Sequence, residues 1–192
     1  MTDIRLSDFR NDWYQPGRPR VVQAAWFFLG LPLLRCPLLP FSRPRRGLLR
    51  LFGAKLGRGV VIKPGVRVKY PWLLSIGDYS WIGEDVWIDN LGQVSIGSNV
   101  CISQGAYLCT GNHDWSDPAF ALQVRPIVIS DGAWVAARAV LCPGVSLGES
   151  AVAAVGSVVT RDIPAFEIHA GNPARFLRRR EIAPPPSCLP GP

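Results

Sequence analysis

Histidine is scarce in this chain: 192 residues hold only two, His113 and His169. A zinc centre built on three histidines is therefore excluded, and no metal is expected. Paired cysteines are lacking too. The five cysteines, at 36, 101, 109, 142 and 188, are odd in number and none has a CxxC partner. That argues against both a disulfide framework and a zinc knuckle. No membrane span stands out, because the charge-free run VVQAAWFFLGLPLL (21–34) ends after fourteen residues and contains Pro32, whereas a span needs about 20. The opening MTDIRLSDFRNDW mixes acids with bases and has no apolar signal-peptide core, so a cytoplasmic location is the expectation. Helix-turn-helix, zinc-finger and stacking-aromatic motifs are also missing, and nucleic acid is not an expected partner.

What the chain does have is corners and positive charge. Its 19 Gly and 18 Pro exceed what helical bundles tolerate, since both residues break helix interiors. A hydrophobic content of 48% suits one domain with a sizeable core and an appendage or two. The net charge of +7 points to a phosphate-rich partner, either a nucleotide-bearing cofactor or an anionic membrane surface.

Aliphatic residues recur every six positions: Leu56, Ile62, Val68, then Ile76, Ile82, Ile88, then Ile96, Ile102, Leu108. After a long break the pattern resumes at Ile129, Val135, Leu141, Leu147, Ala153 and Val159. Four places after each, the residue is usually small or β-branched, with Trp72 and Asn112 as outliers; one place after, Gly is frequent. A helix turns about 600° in six residues and scatters such a set over several faces. A strand keeps an even spacing on one face. The pattern therefore predicts short strands joined by tight corners, with three hexads to a coil of 18 residues. Coils at 56–73, 76–93, 96–113, 129–146 and 147–164 make a stack about 24 Å tall. The insertions 74–75, 94–95 and 114–128 then fall at one corner of the prism, and His113 closes the third coil.

The stretches IGDYSWIGEDVWI (76–88) and ISDGAWVAARAVLCPGVSLGESAVAAVGSVVTRDIPAFEIHAGNPARFL (129–177) resemble the hexapeptide-repeat acyltransferases. The resemblance implies an all-β chain: a left-handed parallel β-helix of about five coils over 56–177, with an N-terminal apolar and basic helical segment at 1–55. The remainder, 178–192, is expected to be a basic helix end and a disordered tail. IDNLGQVSIGSNVCISQGAYLCTGNHDWSDPAF (88–120) resembles the sugar acetyltransferases of the colanic-acid-biosynthesis type. It implies acetyl-CoA as acyl donor and O-acetyl transfer to a saccharide or lipid-linked saccharide. Homotrimers with active sites between subunits are implied too.

Acyl transfer from a thioester to a hydroxyl needs a base for the hydroxyl proton, and an imidazole has a suitable ordinary pKa of about 6.5. His113 matches the family's catalytic His at the head of the protruding loop, whereas His169 lies past the last coil and reads as structural or exposed. Asp114, Asp85, Asp89 or a backbone carbonyl can orient the ring. Asp85, Asp89, Asn90, Asp114 and Trp115 are candidates for the acceptor side, with turn-making as the competing role for Asp and Asn at corners. Trp115 and Phe120 are expected in the subunit contact. For coenzyme A the resemblance points to Trp134, Ala136 and Ala154 along the pantetheine, and to Thr160, Arg161 and Arg175 toward the nucleotide. Two departures from the family pattern, AAVGS (153–157) and WVAARA (134–139), place Val155 where a small residue is usual. N-acetylation of an amino sugar and a non-catalytic binding β-helix are the competing functions. For the N-terminal segment two roles stay open: a cap over the first coil, or peripheral contact with the inner membrane face.

Overall fold

Each six-residue step becomes a strand of two or three residues and a turn in the computed structural model, which describes residues 3–38 and 41–183. The strands stack as three parallel faces. The first holds Lys55–Leu56, Leu74–Ile76, Val94–Ile96, Ile127–Ile129 and Ser146–Leu147. The second begins with Val61–Ile62, Trp81–Ile82, Cys101–Ile102, Trp134–Val135 and Val152–Ala153. The third holds Arg67–Val68, Trp87–Asp89, Tyr107–Cys109, Val140–Leu141 and Val158–Val159.

Register follows the sequence period. Ile62, Ile82, Ile102, Val135 and Ala153 form one ladder, and Val68, Ile88, Leu108, Leu141 and Val159 another. From Ile62 onward every member of the hexad series is at most 4% exposed. Leu56, at the open end of the first coil, is only half-buried.

Two of the three corner stacks set one residue per coil in the left-handed region. One runs Gly59, Tyr79, Asn99, Gly132, Ser150 and the other Gly65, Asp85, Gly105, Arg138, Gly156. The frequent Gly one place after the inward aliphatic has a different cause, which is close approach. A methyl on Gly77 would lie 2.6 Å from the carbonyl carbon of Gly97 in the next coil.

The stack is slightly taller than five coils. Ile163 bridges to Leu147, and Glu167–Ala170 adds a further parallel strand on Val152–Ala153, so a partial sixth turn follows 147–164. The expected C-terminal helix is replaced by a strand, Arg175–Arg179, antiparallel to Glu167–Ala170. The physical reason is the open edge of the last parallel strand, whose backbone groups need partners that a helix cannot supply. The tail from 184 lies outside the described residues.

The two short insertions do fall at the third-to-first corner. Their slack is taken up before Leu74 and Val94, which are themselves buried and paired in the first face. The long insertion is shifted: it spans 111–126 rather than 114–128, and Ile127 and Val128 belong to the coil.

The N-terminal segment divides in two. Apart from a short turn at Leu6–Asp8, residues 3–19 form an irregular strap, not the helix expected over 1–55. Pro16, Gly17 and Pro19 account for the break. The strap climbs the third-to-first corner. Trp72 Nε1 donates to the Pro16 carbonyl, Tyr14 Oη to that of Leu91, and the Arg5 amide to that of Pro118. Helical turns then follow at Arg20–Ala25, Trp26–Gly30 and Leu31–Arg35, and a separate helix at Ser42–Leu51.

These helices cover the open edge of the first coil. Trp26 Nε1 donates to Val68 O (3.0 Å), Arg46 to Val60 O (2.7 Å), and Arg50 to Leu56 O and Gly57 O (3.0 Å each). Ser42 Oγ accepts from Ile62 N at 2.7 Å. Arg45, 1% exposed, ties the helices together through the carbonyls of Leu34, Phe41 and Cys36. No helix among the described residues is long and apolar enough to cross a membrane.

Close stacking gives a paired test. Gly77→Ala is expected to lower stability by about 1–3 kcal/mol, through overpacking between coils. Gly47→Ala, on a helix with nothing within 4 Å of the added methyl, is expected to raise it by roughly 0.4–1 kcal/mol. Thermal melts of the two variants beside wild type check both signs.

Candidate active site

The third coil ends at Cys109, and the chain leaves the prism at Gly111, one residue before Asn112, where other coils set a small or β-branched residue. Thr110 is buried at the exit, with its amide donating to Asp89 O (3.2 Å) and its hydroxyl accepting from Gly92 N (2.8 Å). Gly111–His113 then pairs antiparallel with Leu122–Val124, with His113 opposite Leu122. Arg125 N donates to Thr110 O at 2.9 Å and closes the base of the hairpin. His113 thus ends the outgoing strand of a protruding hairpin instead of closing a coil.

The imidazole is held on three sides. Nδ1 lies 2.8 Å from the carbonyl oxygen of Phe120. The Phe120 ring stacks on it at 4.4 Å with 8° between planes, and Phe9 of the strap approaches at 5.7 Å. A carbonyl only accepts, so it selects the tautomer with the proton on Nδ1 and leaves the Nε2 lone pair free. Phe120 has φ +53°, uncommon for a bulky residue, and this conformation goes with its position over His113. The orienting group is therefore a backbone carbonyl and not Asp114, Asp85 or Asp89. Phe120 is taken up by His113, so of the two loop aromatics only Trp115, 78% exposed, stands outward.

His113 opens on a cavity of about 480 Å³ lined by Asn112, Asp114, Trp115, Arg125, Cys142 and Thr160, among others. Asp114 accepts from Ser116 N at 2.9 Å, from Ser116 Oγ, and from Gln123 Nε2 at 3.3 Å. The Ser116 hydrogen bonds hold its carboxyl below the usual aspartate range. Arg125 adds a cation to the cavity. Burial, and then proximity to Cys109, push the Cys142 thiol up, which disfavours the thiolate that a covalent route would need. Arg125, Gln123, Cys142 and Phe9 escape a reading of the sequence, since only the hairpin and strap bring them to His113.

The other candidates separate. Asp89 lies on the third face, with Lys69 Nζ 2.9 Å from Oδ1 and Tyr107 Oη donating to Oδ2 at 3.2 Å. Burial and the neighbours Cys109 and Asp89 keep the Tyr107 hydroxyl protonated. Asn90 is fully buried, and its amide is used on the Tyr70 backbone: Oδ1 accepts from Tyr70 N (3.0 Å) and Nδ2 donates to Tyr70 O (2.7 Å). It is a corner staple with no free group for a sugar. Asp85 belongs to the left-handed corner stack and lines a cavity beside Phe27 and Phe28, apart from His113. His169 pairs with Glu167 at 2.9 Å beyond the last full coil.

Of the coenzyme A candidates, only Thr160 shares the cavity of His113. Trp134, Ala136 and Ala154 line a second cavity of about 730 Å³ on the second face, with Val155, Arg178 and Arg180. Trp134 Nε1 donates to Ser103 Oγ at 2.9 Å, which ties the indole to the neighbouring coil. Val155 is 72% exposed at this cavity's wall. Arg161 and Arg175 are exposed and line neither cavity.

No protein-family model matches the chain. It is 46% identical over 138 residues, 72% of its own length and 76% of the relative's, to the Escherichia coli protein named colanic acid biosynthesis acetyltransferase WcaF. A hexapeptide-repeat acetyltransferase of Vibrio cholerae, solved with acetyl coenzyme A, superposes with a TM-score of 0.76 at 26% identity, over 85% of this chain and 89% of that one. A galactoside acetyltransferase solved with coenzyme A gives 0.67 at 26% identity, over 80% and 84%. Coil architecture, protruding His hairpin and these likenesses agree: the chain belongs to the hexapeptide-repeat acetyltransferases, in the group of the colanic-acid-biosynthesis enzymes.

Proposed function

We propose that the protein transfers the acetyl group of acetyl-CoA to a sugar hydroxyl in exopolysaccharide biosynthesis, with His113 as general base. The observation that carries this is the Nδ1 contact with Phe120 O, which leaves Nε2 as the acceptor of a ring that lines a cavity. Nε2 takes the hydroxyl proton as the sugar oxygen attacks the thioester carbonyl. The same proton passes to the departing sulfur, so an ester and a free thiol are formed with no covalent enzyme intermediate. Asn112, Asp114 and the outward Trp115 are placed to meet the acceptor, Trp115 through its ring face. Asp89 lies lower, on the third face, where a longer acceptor would reach it.

The donor side supports a homotrimer with sites between subunits. The cavity of His113 opens at the third-to-first corner, and that of Trp134, Ala136 and Ala154 lies on the second face. One extended coenzyme A meets both only if they come from neighbouring chains. Arg161 and Arg175, exposed near the end of the stack, are available to its phosphates.

Two measurements test this. Thiol release from acetyl-CoA is followed with a panel of hexoses, deoxyhexoses, amino sugars and nucleotide sugars. His113→Ala is expected to lower kcat on the active acceptor by about 10² or more, with coenzyme A binding retained; equal rates would remove His113 from the chemistry. In the second, His113→Ala subunits are mixed with Trp134→Ala subunits after dissociation. Activity above either parent is expected if each site draws on two chains, and no recovery in mixed trimers would place each site within one chain.

A further inference from the structure

The net positive charge of this protein is not spread over its surface. Between Gly17 and Lys55 there are eight Lys or Arg and no Asp or Glu, while the rest of the chain holds thirteen bases against fourteen acids. The whole excess lies in the segment that covers the first coil. Within it Arg45 is buried, and Arg46 and Arg50 donate to coil carbonyls. Arg20, Arg35 and Arg43 are exposed.

The same segment is apolar on two faces. Trp26, Gly30 and Leu34 turn inward and are buried, as a cap requires. Phe27, Phe28, Leu29 and Leu33 turn outward, with Phe28 72% exposed. No charged residue lies between Arg20 and Arg35. A helix lying on a soluble prism normally presents a polar outer face, and a contiguous apolar patch marks a contact surface. Three acids border the patch: Glu84 and Asp85 beside Phe27 and Phe28 in a cavity of about 780 Å³, and Asp89 in a second cavity with the same two rings; Glu84 is faced by Lys63 at 3.8 Å and Asp89 by Lys69 at 2.9 Å.

We infer that this outer face docks on an anionic lipid surface, with Phe27, Phe28, Leu29 and Leu33 entering the headgroup region and Arg20, Arg35 and Arg43 meeting lipid phosphates. Charge decides between occupants. A second copy laid on the same face brings two wholly basic segments together, whereas an anionic bilayer complements both the apolar side chains and the bases around them. The inference is independent of the transfer reaction, because neither cavity assigned to acetyl transfer includes a residue of this patch.

The test is co-sedimentation of the full chain with vesicles of phosphatidylglycerol and phosphatidylcholine, against phosphatidylcholine alone. Binding is expected on the anionic vesicles at about 0.05 M salt and is expected to weaken at about 0.5 M. Phe27→Ser with Phe28→Ser, and separately Arg35→Glu with Arg43→Glu, are each expected to reduce partitioning about tenfold or more. Melting temperature and coenzyme A binding serve as folding controls and are expected to stay near wild type. No binding to anionic vesicles overturns the inference, as does binding that both double variants leave intact. A change in oligomeric size caused by the Phe27 and Phe28 exchange assigns the patch to a second copy and overturns it too.

Discussion

Stacking of each inward side chain on its own counterpart one coil away is the constraint from which the other features follow. Ile82 pairs with Ile102, and Ile102 with Val135, across a parallel ladder that tolerates no slip, because a one-residue shift turns every aliphatic outward. Repetition makes the prism stiff, and what leaves it is held by that stiffness. The hairpin of His113, Trp134 and the arginines near the last coils are fixtures on one scaffold. Their relative positions are set by how many coils separate them.

Both ends of such a stack expose unpaired backbone, and the two ends are closed differently. At the start, Ser42, Arg46, Arg50 and Trp26 bring side-chain donors and acceptors to the first coil. At the finish, Arg175–Arg179 folds back as an antiparallel strand. The start is helical because Trp26 and Leu34 share one helix face and seat on the prism, with Gly30 between them leaving room for the Trp26 ring.

This contrast also explains what the sequence makes legible. The coils can be read from position alone, since the hexad is a local pattern and each member is aliphatic. The three-hexad count also locates the excursion near residue 113. Residues whose roles depend on another part of the chain are less legible. The basic run RRR (178–180) reads as a helix end until an open strand edge is present to pair with it. Asp85 looks like a site carboxylate until the coils are aligned and it falls above Gly65 in a left-handed corner. Asn90 and Asp89 are neighbours in sequence, but strand alternation sends one into the corner and leaves the other on the face. The orientation of His113 rests on one dihedral angle at Phe120, and no residue pattern encodes it. The strap from Arg5 to Tyr14 reaches the hairpin only because the whole N-terminal segment turns back along the stack.

The hairpin leaves and rejoins the prism at a single closed gate, where Arg125 N meets Thr110 O. The coils on either side, Val94–Ile96 and Ile127–Ile129, stack as though the intervening residues did not exist. The excursion is therefore a cassette. Its length and chemistry can drift between Gly111 and Val124 while the stacked coils keep their register. If the hairpin meets the acceptor as proposed, a new specificity arises by exchanging one hairpin, with the stacked coils left as they are.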